Sequence, residues 1–432
     1  MKEVSIVPIE KREIIPVWEA ASRILEQTIT LPTETVPLEE CDNRYLAEDI
    51  IATHDVPPFD RSPYDGFAVR AEDTQCASKQ APVLLKVIDS IGAGHVSEKT
   101  VQEGEAVRLM TGAAIPKGAD AVIMLELVKE IGSGKIEIGR VFSPGHNISK
   151  QGEDTKQGTP ILKKGSKIHP GAVALLATFG YERVQVMKKP VVGILATGTE
   201  LLDVGQELVP GKIRNSNAYM IASQIKKAGG EPRLLGKMPD DLEQTYNGII
   251  AALQQCDVLI TTGGVSVGDF DHLPAIYKKM EAELLFNKIA MRPGSVTSAA
   301  VYEGKLLFGL SGNPSACFVG CELFVRPFLL KALNADKVHL GVLKTELQED
   351  FLKPNPFTRF VRSRVEWEGS VPAAVPVGLD KSGSVTSLAD ANALIVLPGG
   401  TRGWEIGSEV TTLLLDGEGS VWPWDLAVKS KS

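Results

Sequence analysis

Between residues 189 and 333 strand-like and helix-like segments alternate, and this alternation limits the fold more than any other feature of the chain. Val191 to Ala196, Glu231 to Met238 and Val258 to Thr262 have strand length. The first and third are apolar runs of the kind a parallel sheet buries on both faces. A helix is expected from Ala218 to Ala228, with Ser216 or Asn217 placed to cap it and Gly229 to end it. Asp240-x-x-Glu243 reads as a capping box opening a second helix to about Gln254. A hairpin, Val296 to Tyr302 and Leu306 to Leu310 around Glu303-Gly304, precedes a last helix near Pro314. Such alternation implies a doubly wound α/β domain, where ligands bind beyond the carboxyl ends of the strands.

The flanks have a different character. At roughly 150 residues per domain, 432 residues leave room for about three domains. Residues 10 to 27 carry Val17, Ala20, Ala21, Ile24 and Leu25 at helical spacing, with Pro16 near the start. From about 30 to 187 the chain reads as short β segments, among them Val83 to Ile88, Ala121 to Met124 and Lys135 to Ile138, and a helical patch from Gly171 to Thr178 closes the region. The last hundred residues return to β segments, Phe360 to Trp367, Ala393 to Leu397 and Val410 to Leu415, which suit a small barrel or sandwich.

Charge and cysteine usage exclude several classes. A net charge of −8 argues against a sequence-independent grip on nucleic acid, so any anionic ligand must meet a local cluster of cations. Five cysteines are too scattered for a disulfide scaffold, and Cys317 and Cys321, four apart, read as a buried helix face without a second pair to complete a zinc site. The N-terminus lacks a basic segment followed by an apolar one, and no stretch reaches 18 uninterrupted apolar residues. The expectation is a cytoplasmic, reduced protein with no membrane segment.

The polar constellations gather after the α/β strands. Thr197-Gly198-Thr199-Glu200 leaves Glu200 at a strand mouth, as a ligand for a divalent cation or as an acid favouring a helix dipole. Gly263-Gly264-Val265-Ser266-Val267-Gly268-Asp269-Phe270-Asp271 exposes successive N–H groups suited to an oxyanion. Lys288 and Arg292 stand four apart beside a Gly turn, either neutralising an oxyanion or solvated at the surface. Leu310-Ser311-Gly312-Asn313-Pro314 is a sharp strand-to-helix turn aimed at the same face. Neither G-x-x-x-x-G-K-[ST] nor a G-x-G-x-x-G opening a helix is present. In the N-terminal part, residues 57 to 68, 108 to 116 and Gly152-Glu153-Asp154 are polar, turn-rich loops that jointly suggest a carboxylate-rich, metal-binding site.

Taken together, Phe59-Asp60-x-Ser62-x-x-Asp65-Gly66-Phe67-Ala68, Met110-Thr111-Gly112-Ala113, Gly152-Glu153-Asp154, Thr197-Gly198-Thr199-Glu200-Leu201, Asn215-Ser216-Asn217, Thr262-Gly263-Gly264-Val265-Ser266-x-Gly268-x-x-Asp271, Gly312-Asn313-Pro314 and Ala391-Asn392-Ala393 resemble the molybdopterin molybdenumtransferases, the MoeA-type family that includes the gephyrin E domain. The match spans nearly the whole chain. It implies an α/β multidomain protein: an N-terminal region at 1–188, with a linker-type part at about 1–53 and 150–188 and an inserted β-rich domain at about 54–149; a central doubly wound molybdopterin-binding domain at 189–333; and a small C-terminal β-barrel at 334–432.

The resemblance also implies a reaction. Molybdate enters the dithiolene of adenylylated molybdopterin, the adenylyl bond is hydrolysed, and molybdenum cofactor and AMP leave, with Mg2+ or Zn2+ as cofactor. Asp65, Thr111, Asp154, Glu200 and Asp271 are then the catalytic candidates, with Glu200 and Asp241 as metal ligands. Gly263, Gly264, Ser266, Lys288, Arg292, Ser311, Asn313, Arg359 and Ser387 are the substrate contacts. The implied assembly is a homodimer in which the N-terminal region of one subunit lies over the α/β site of the other, with a molybdopterin adenylyltransferase and molybdoenzyme apoproteins as partners. The chain departs from the family pattern at Tyr64, where Met is usual, at Arg292-Pro293-Gly294-Ser295-Val296, where Lys-Pro-Gly-Lys-Pro is usual, and at Ser311, where Pro is frequent. Two other readings fit the same α/β domain: a pterin-binding scaffold without catalysis, and a metal-dependent nucleotide pyrophosphatase.

Overall fold

The computed structural model describes residues 13–27, 29, 31–264, 272–352, 354–368 and 371–417. Two compact units divide the chain: Asp49–Lys163 with Pro170–Glu182, and Met1–Glu48, Lys164–His169 and Arg183–Ser432. The second begins with α1 (Val17–Glu26), which buries Val17, Ala20 and Ile24 at spacings of three and four. Pro16 is its extended N-cap, and the proline ring drives the preceding residue, Ile15, out of the helical region. The helix therefore starts later than the periodicity from residue 10 implies.

The smaller unit is built on a six-stranded sheet: β1 (Gly66–Val69), β2 (Val83–Ile91), β3 (Glu105–Leu109), β4 (Ala121–Met124), β5 (Val128–Glu130) and β6 (Lys135–Ile138), in the order β4-β1-β3-β2-β6-β5. Only β2 and β3 run parallel. Along β1, Phe67 and Val69 join one apolar cluster with Leu85, Ile123 and Ile138, and Ala68 joins another with Val107 and Val122. That is the period of two expected of a strand covered on both faces. Strand β2 runs three residues beyond Ile88, because Asp89 and Ser90 still pair with β3 after a register shift that their polarity conceals. A helix, α2 (Pro170–Thr178), completes the unit.

The larger unit contains the α/β domain. Its strands are β7 (Val191–Thr197), β8 (Glu231–Met238), β9 (Val258–Thr262), β10 (Glu283–Phe286), β12 (Ser298–Tyr302) and β13 (Lys305–Leu310), with a two-residue strand β11 (Met291–Arg292) leaving for the next domain. The order is β8-β7-β9-β13-β12-β10, the first four parallel. Val192, Ile194, Val258, Ile260 and Phe308 face α3 (Asn217–Lys227) and the run α6 (Pro314–Gly320), a π turn (Cys321–Val325) and α7 (Arg326–Ala332). Leu195, Leu259 and Leu307 face α4 (Leu242–Leu253) and α5 (Leu273–Lys279) on the opposite side. Helices on both faces make the sheet doubly wound, as the alternation predicts. Two caps differ from expectation. Asp241, not Asp240, caps α4 by accepting from Gln244 N at 2.8 Å. Ser216 makes no side-chain cap, and Asn215 Oδ1 accepts from Ala218 N at 3.2 Å instead.

The C-terminal strands β14 (Gly341–Leu347), β15 (Thr358–Glu368), β16 (Val371–Pro376), β17 (Ala393–Leu397) and β18 (Glu409–Leu414) run in the order β15-β16-β14-β18-β17, and β17 pairs again with β15. This return pairing closes a five-stranded barrel, which decides between barrel and sandwich. A short helix, α8 (Thr386–Asp390), lies before β17.

The Asp65-Gly66 pair has a packing reason of its own. A Cβ on Gly66 would lie 2.2 Å from Ile123 O, so no other residue lets β1 sit against β4. Gly66→Ala should destabilise the smaller unit by about 1–3 kcal/mol, measured as a lowered urea midpoint; an unchanged midpoint would mean that the two strands can separate at no cost.

Candidate functional site

Four parallel strands end on one edge of the α/β sheet, and their turns are tied together there. Gly263, at φ 93°, must be glycine, since a Cβ would lie 2.3 Å from Thr197 O. Its N–H donates to Leu310 O at 3.1 Å, which joins the turn after β9 to the end of β13. Thr199 donates from N and Oγ1 to Asp240 Oδ2 at 3.1 and 3.2 Å, and Lys212 Nζ donates to Thr199 O at 2.6 Å. The Glu200 carboxylate folds back over Gly198, with Oε2 2.5 Å from where a Gly198 Cβ would lie. Glu200 is exposed and has no side-chain hydrogen bond among the described residues.

Asn217, on the first turn of α3, reaches into this edge. Its Nδ2 donates to Gly312 O at 2.9 Å and to Thr262 Oγ1 at 3.1 Å. A carbonyl only accepts, so the amide orientation is fixed and Oδ1 is left buried without a donor. Such an orphan costs about 1–3 kcal/mol. Ser311 is nearly buried, and its Oγ accepts from Asn313 N at 3.2 Å. Beneath the turn, Cys317 Sγ lies 3.8 Å from Thr262 Oγ1, and burial pushes this thiol up to about 12. Burial raises the Cys321 thiol as well.

The barrel contributes to the same edge. Ser315 donates from N to Ser382 O at 3.0 Å and from Oγ to Ser384 O at 2.6 Å, which holds the loop before α8 against the start of α6. Arg359, expected to contact an anion, pairs with Asp380 and stacks on Phe351 at 5.1 Å, and its Nε is buried without a partner among the described residues. Arg362 is the arginine the sequence reading misses. It is 1% exposed, donates from Nε to Ser387 Oγ at 2.8 Å and from Nη2 to Leu379 O at 2.7 Å, and keeps Nη1 without a partner. The signal was available: a cation inside the apolar run of a barrel strand is almost never buried without a task. Lys288 is half-buried and Arg292 exposed, and neither forms an ion pair among the described residues. Ser266 and Asp271 lie outside the described residues.

In the smaller unit, the structure brings Asp65 and Thr111 together. Thr111 donates to Asp65 Oδ1 from N at 2.6 Å and from Oγ1 at 3.0 Å. The backbone bond first, then the hydroxyl bond, hold this carboxyl below the usual aspartate range, although it is fully exposed. Asp154 is exposed, and no hydrogen bond joins it to that pair. Asp60 is held by Lys150 and by Gln151 N, each at 2.8 Å.

No group of three or more His, Cys, Asp or Glu that suits a metal ion occurs among the described residues. The expected ligand Asp241 has one oxygen committed to capping α4, and Asp240 is the neighbour that reaches the turn of Glu200. An oxygen-only set of one or two carboxylates suits Mg2+, which completes its shell with water and substrate phosphate, and lacks the nitrogen or sulfur donors of a Zn2+ site.

The Asp65–Thr111 contact makes a pH prediction. A carboxyl lowered in the folded state adds stability above its unfolded value, and this is lost as pH falls through the folded value. Thr111→Val removes the hydroxyl bond and keeps the backbone one, so the Asp65 pKa should rise partway toward the ordinary range in a carboxyl-carbon NMR titration. No rise would show that the hydroxyl bond is not made in solution.

Three family descriptions match successive parts of the chain: "MoeA N-terminal region (domain I and II)" at residues 15–180, "Probable molybdopterin binding domain" at 193–331 and "MoeA C-terminal region (domain IV)" at 344–415. A protein of Bacillus subtilis (strain 168) named molybdopterin molybdenumtransferase is 57% identical over 426 residues, covering 98% of this chain and 99% of that one. Its namesake in Staphylococcus aureus (strain COL) is 52% identical over 410 residues, covering 95% and 98%. Among solved structures, the molybdopterin biosynthesis MoeA protein of Pyrococcus horikoshii OT3 superposes with a TM-score of 0.79 at 35% identity, covering 93% of this chain and 100% of that one. With near full-length identity above one half and the same fold, the chain belongs to the MoeA family of molybdopterin molybdenumtransferases, enzymes of molybdenum cofactor biosynthesis.

Proposed function

We propose that the chain inserts molybdate into adenylylated molybdopterin and hydrolyses the adenylyl bond, releasing molybdenum cofactor and AMP. The observation that carries this reading is the convergence, on one edge of the sheet, of the free Glu200 carboxylate, Asp240 and the Gly263-Gly264 turn. The backbone N–H of Gly264, beside the Gly263 N–H that Leu310 O already holds, binds a phosphate oxygen. Arg362 Nη1, with Ser387 at its Nε, binds the molybdate dianion, and Lys288 and Arg292 add charge; Arg359, whose charge Asp380 already neutralises, contributes less. Asp65, ionised and oriented through Oδ1 by Thr111, keeps Oδ2 for the attacking water. A divalent cation bound at Glu200 and Asp240, with Asp241 beside them, supplies polarisation of the phosphoryl oxygens, and the donor set favours Mg2+ over Zn2+.

The same reading makes the protein a cytoplasmic homodimer that takes its substrate from an adenylyltransferase and passes its product to apo-molybdoenzymes. Among the described residues, no helix is long and apolar enough to cross a membrane.

Purified protein with Mg2+ should release AMP from adenylylated molybdopterin only when molybdate is present, and the product should activate an apo-molybdoenzyme. Release that ignores molybdate would make the protein a pyrophosphatase, and tight binding without release would make it a scaffold. Asp65→Asn and Glu200→Gln should each abolish turnover in a folded protein. If the two residues serve one site from different subunits, mixing these variants should restore about a quarter of wild-type turnover; a mixture that stays inactive places both in one subunit. Arg362→Lys should raise the molybdate KM about tenfold or more and Arg359→Lys less than threefold, with equal shifts removing Arg362 from the anion site.

A further inference from the structure

We propose that Asn217 is a positioning residue for this reaction, acting by locking the turn after β9 to the turn after β13. This rests on the reading that these turns hold the phosphate of the substrate. Asn217 is 7% exposed, and both N–H groups of its amide are used, one on the turn after β13 and one on the last residue of β9, which leads into its turn: Gly312 O at 2.9 Å and Thr262 Oγ1 at 3.1 Å. Thr262 extends the lock, since its Oγ1 reaches Ser311 O at 3.5 Å and its carbonyl accepts from Thr197 Oγ1 at 3.3 Å. The two turns are in contact: a Cβ on Gly312 would lie 3.5 Å from Gly263 Cα. One side chain on a rigid helix therefore fixes the separation of the end of β9 from the turn after β13, the two places that border the substrate phosphate on the proposed reading.

Asn217 Oδ1 has no donor among the described residues, so the polar contacts of this side chain there are the two that its Nδ2 makes. Neither Asp nor Leu at this position replaces the pair of N–H groups, although each is close in volume.

The test uses the full chain with AMP as the probe, measured by calorimetry with Mg2+ present, alongside the thermal midpoint. Asn217→Ala should weaken AMP binding about tenfold or more while the midpoint stays within about 3 °C. Thr262→Val, which removes the hydroxyl at constant shape, should weaken it about three- to fivefold, and Thr262→Ser should stay within about twofold of wild type. The double variant Asn217→Ala/Thr262→Val should bind no worse than Asn217→Ala, because both changes open one lock. AMP binding by Asn217→Ala within twofold of wild type overturns the proposal. If Asn217→Ala fails to fold, the Thr262 pair decides, and equal affinities of the Val and Ser variants overturn it. A wild-type protein that binds AMP but releases none from adenylylated molybdopterin defeats the reaction reading instead, and the AMP comparison still decides the role of Asn217.

Discussion

Much of this molecule follows from one geometric requirement: four parallel strands have to end together. Parallel pairing sends every crossover through a helix on one face or the other, so the turns after β7, β8, β9 and β13 all emerge on one edge. Their closeness there is physical. Gly263 packs on Thr197 O, Gly312 packs on Gly263, and Thr199 is bound by Asp240. Each turn is held by a neighbour from another strand, so the groups that meet a ligand are set before it arrives, which is the condition for electrostatic preorganisation.

The central domain was legible in the sequence because its signals are local. An apolar run of five to seven residues, a cap and a glycine turn lie within a few positions of one another, and each of Val191–Thr197, Val258–Thr262 and the α3 segment falls where the pattern places it. The C-terminal barrel was half legible. Its strands are visible one by one, but closure depends on β15 meeting β17 across some thirty intervening residues, and no local pattern carries that pairing.

Site residues divide in the same way. The Gly263-Gly264 turn and Glu200 could be found because both sit directly after a strand. Asp241 rather than Asp240 caps α4, since a capping box tolerates a shift of one residue and only the backbone decides which carboxylate faces the helix. Arg359 and Arg362 differ in their contacts for another reason. Both look alike along β15, and what separates them is the position of Asp380, which claims Arg359, and of Ser387, which meets Arg362. Thr111 stands 46 positions from Asp65, a distance at which neither periodicity nor turn chemistry gives notice of a hydrogen bond.

The thiol beneath the turn after β9 has a chemical consequence for an enzyme of molybdenum cofactor biosynthesis. Sulfur ligates molybdenum as thiolate, and a substrate carrying two dithiolene sulfurs would compete with any protein thiolate placed nearby. Cys317 sits 3.8 Å from Thr262 at that turn, but burial keeps it protonated far above neutral pH. On the proposed reading, the fold thus places a sulfur beside the cleft in its protonated form, a far weaker metal ligand than the thiolates of the substrate.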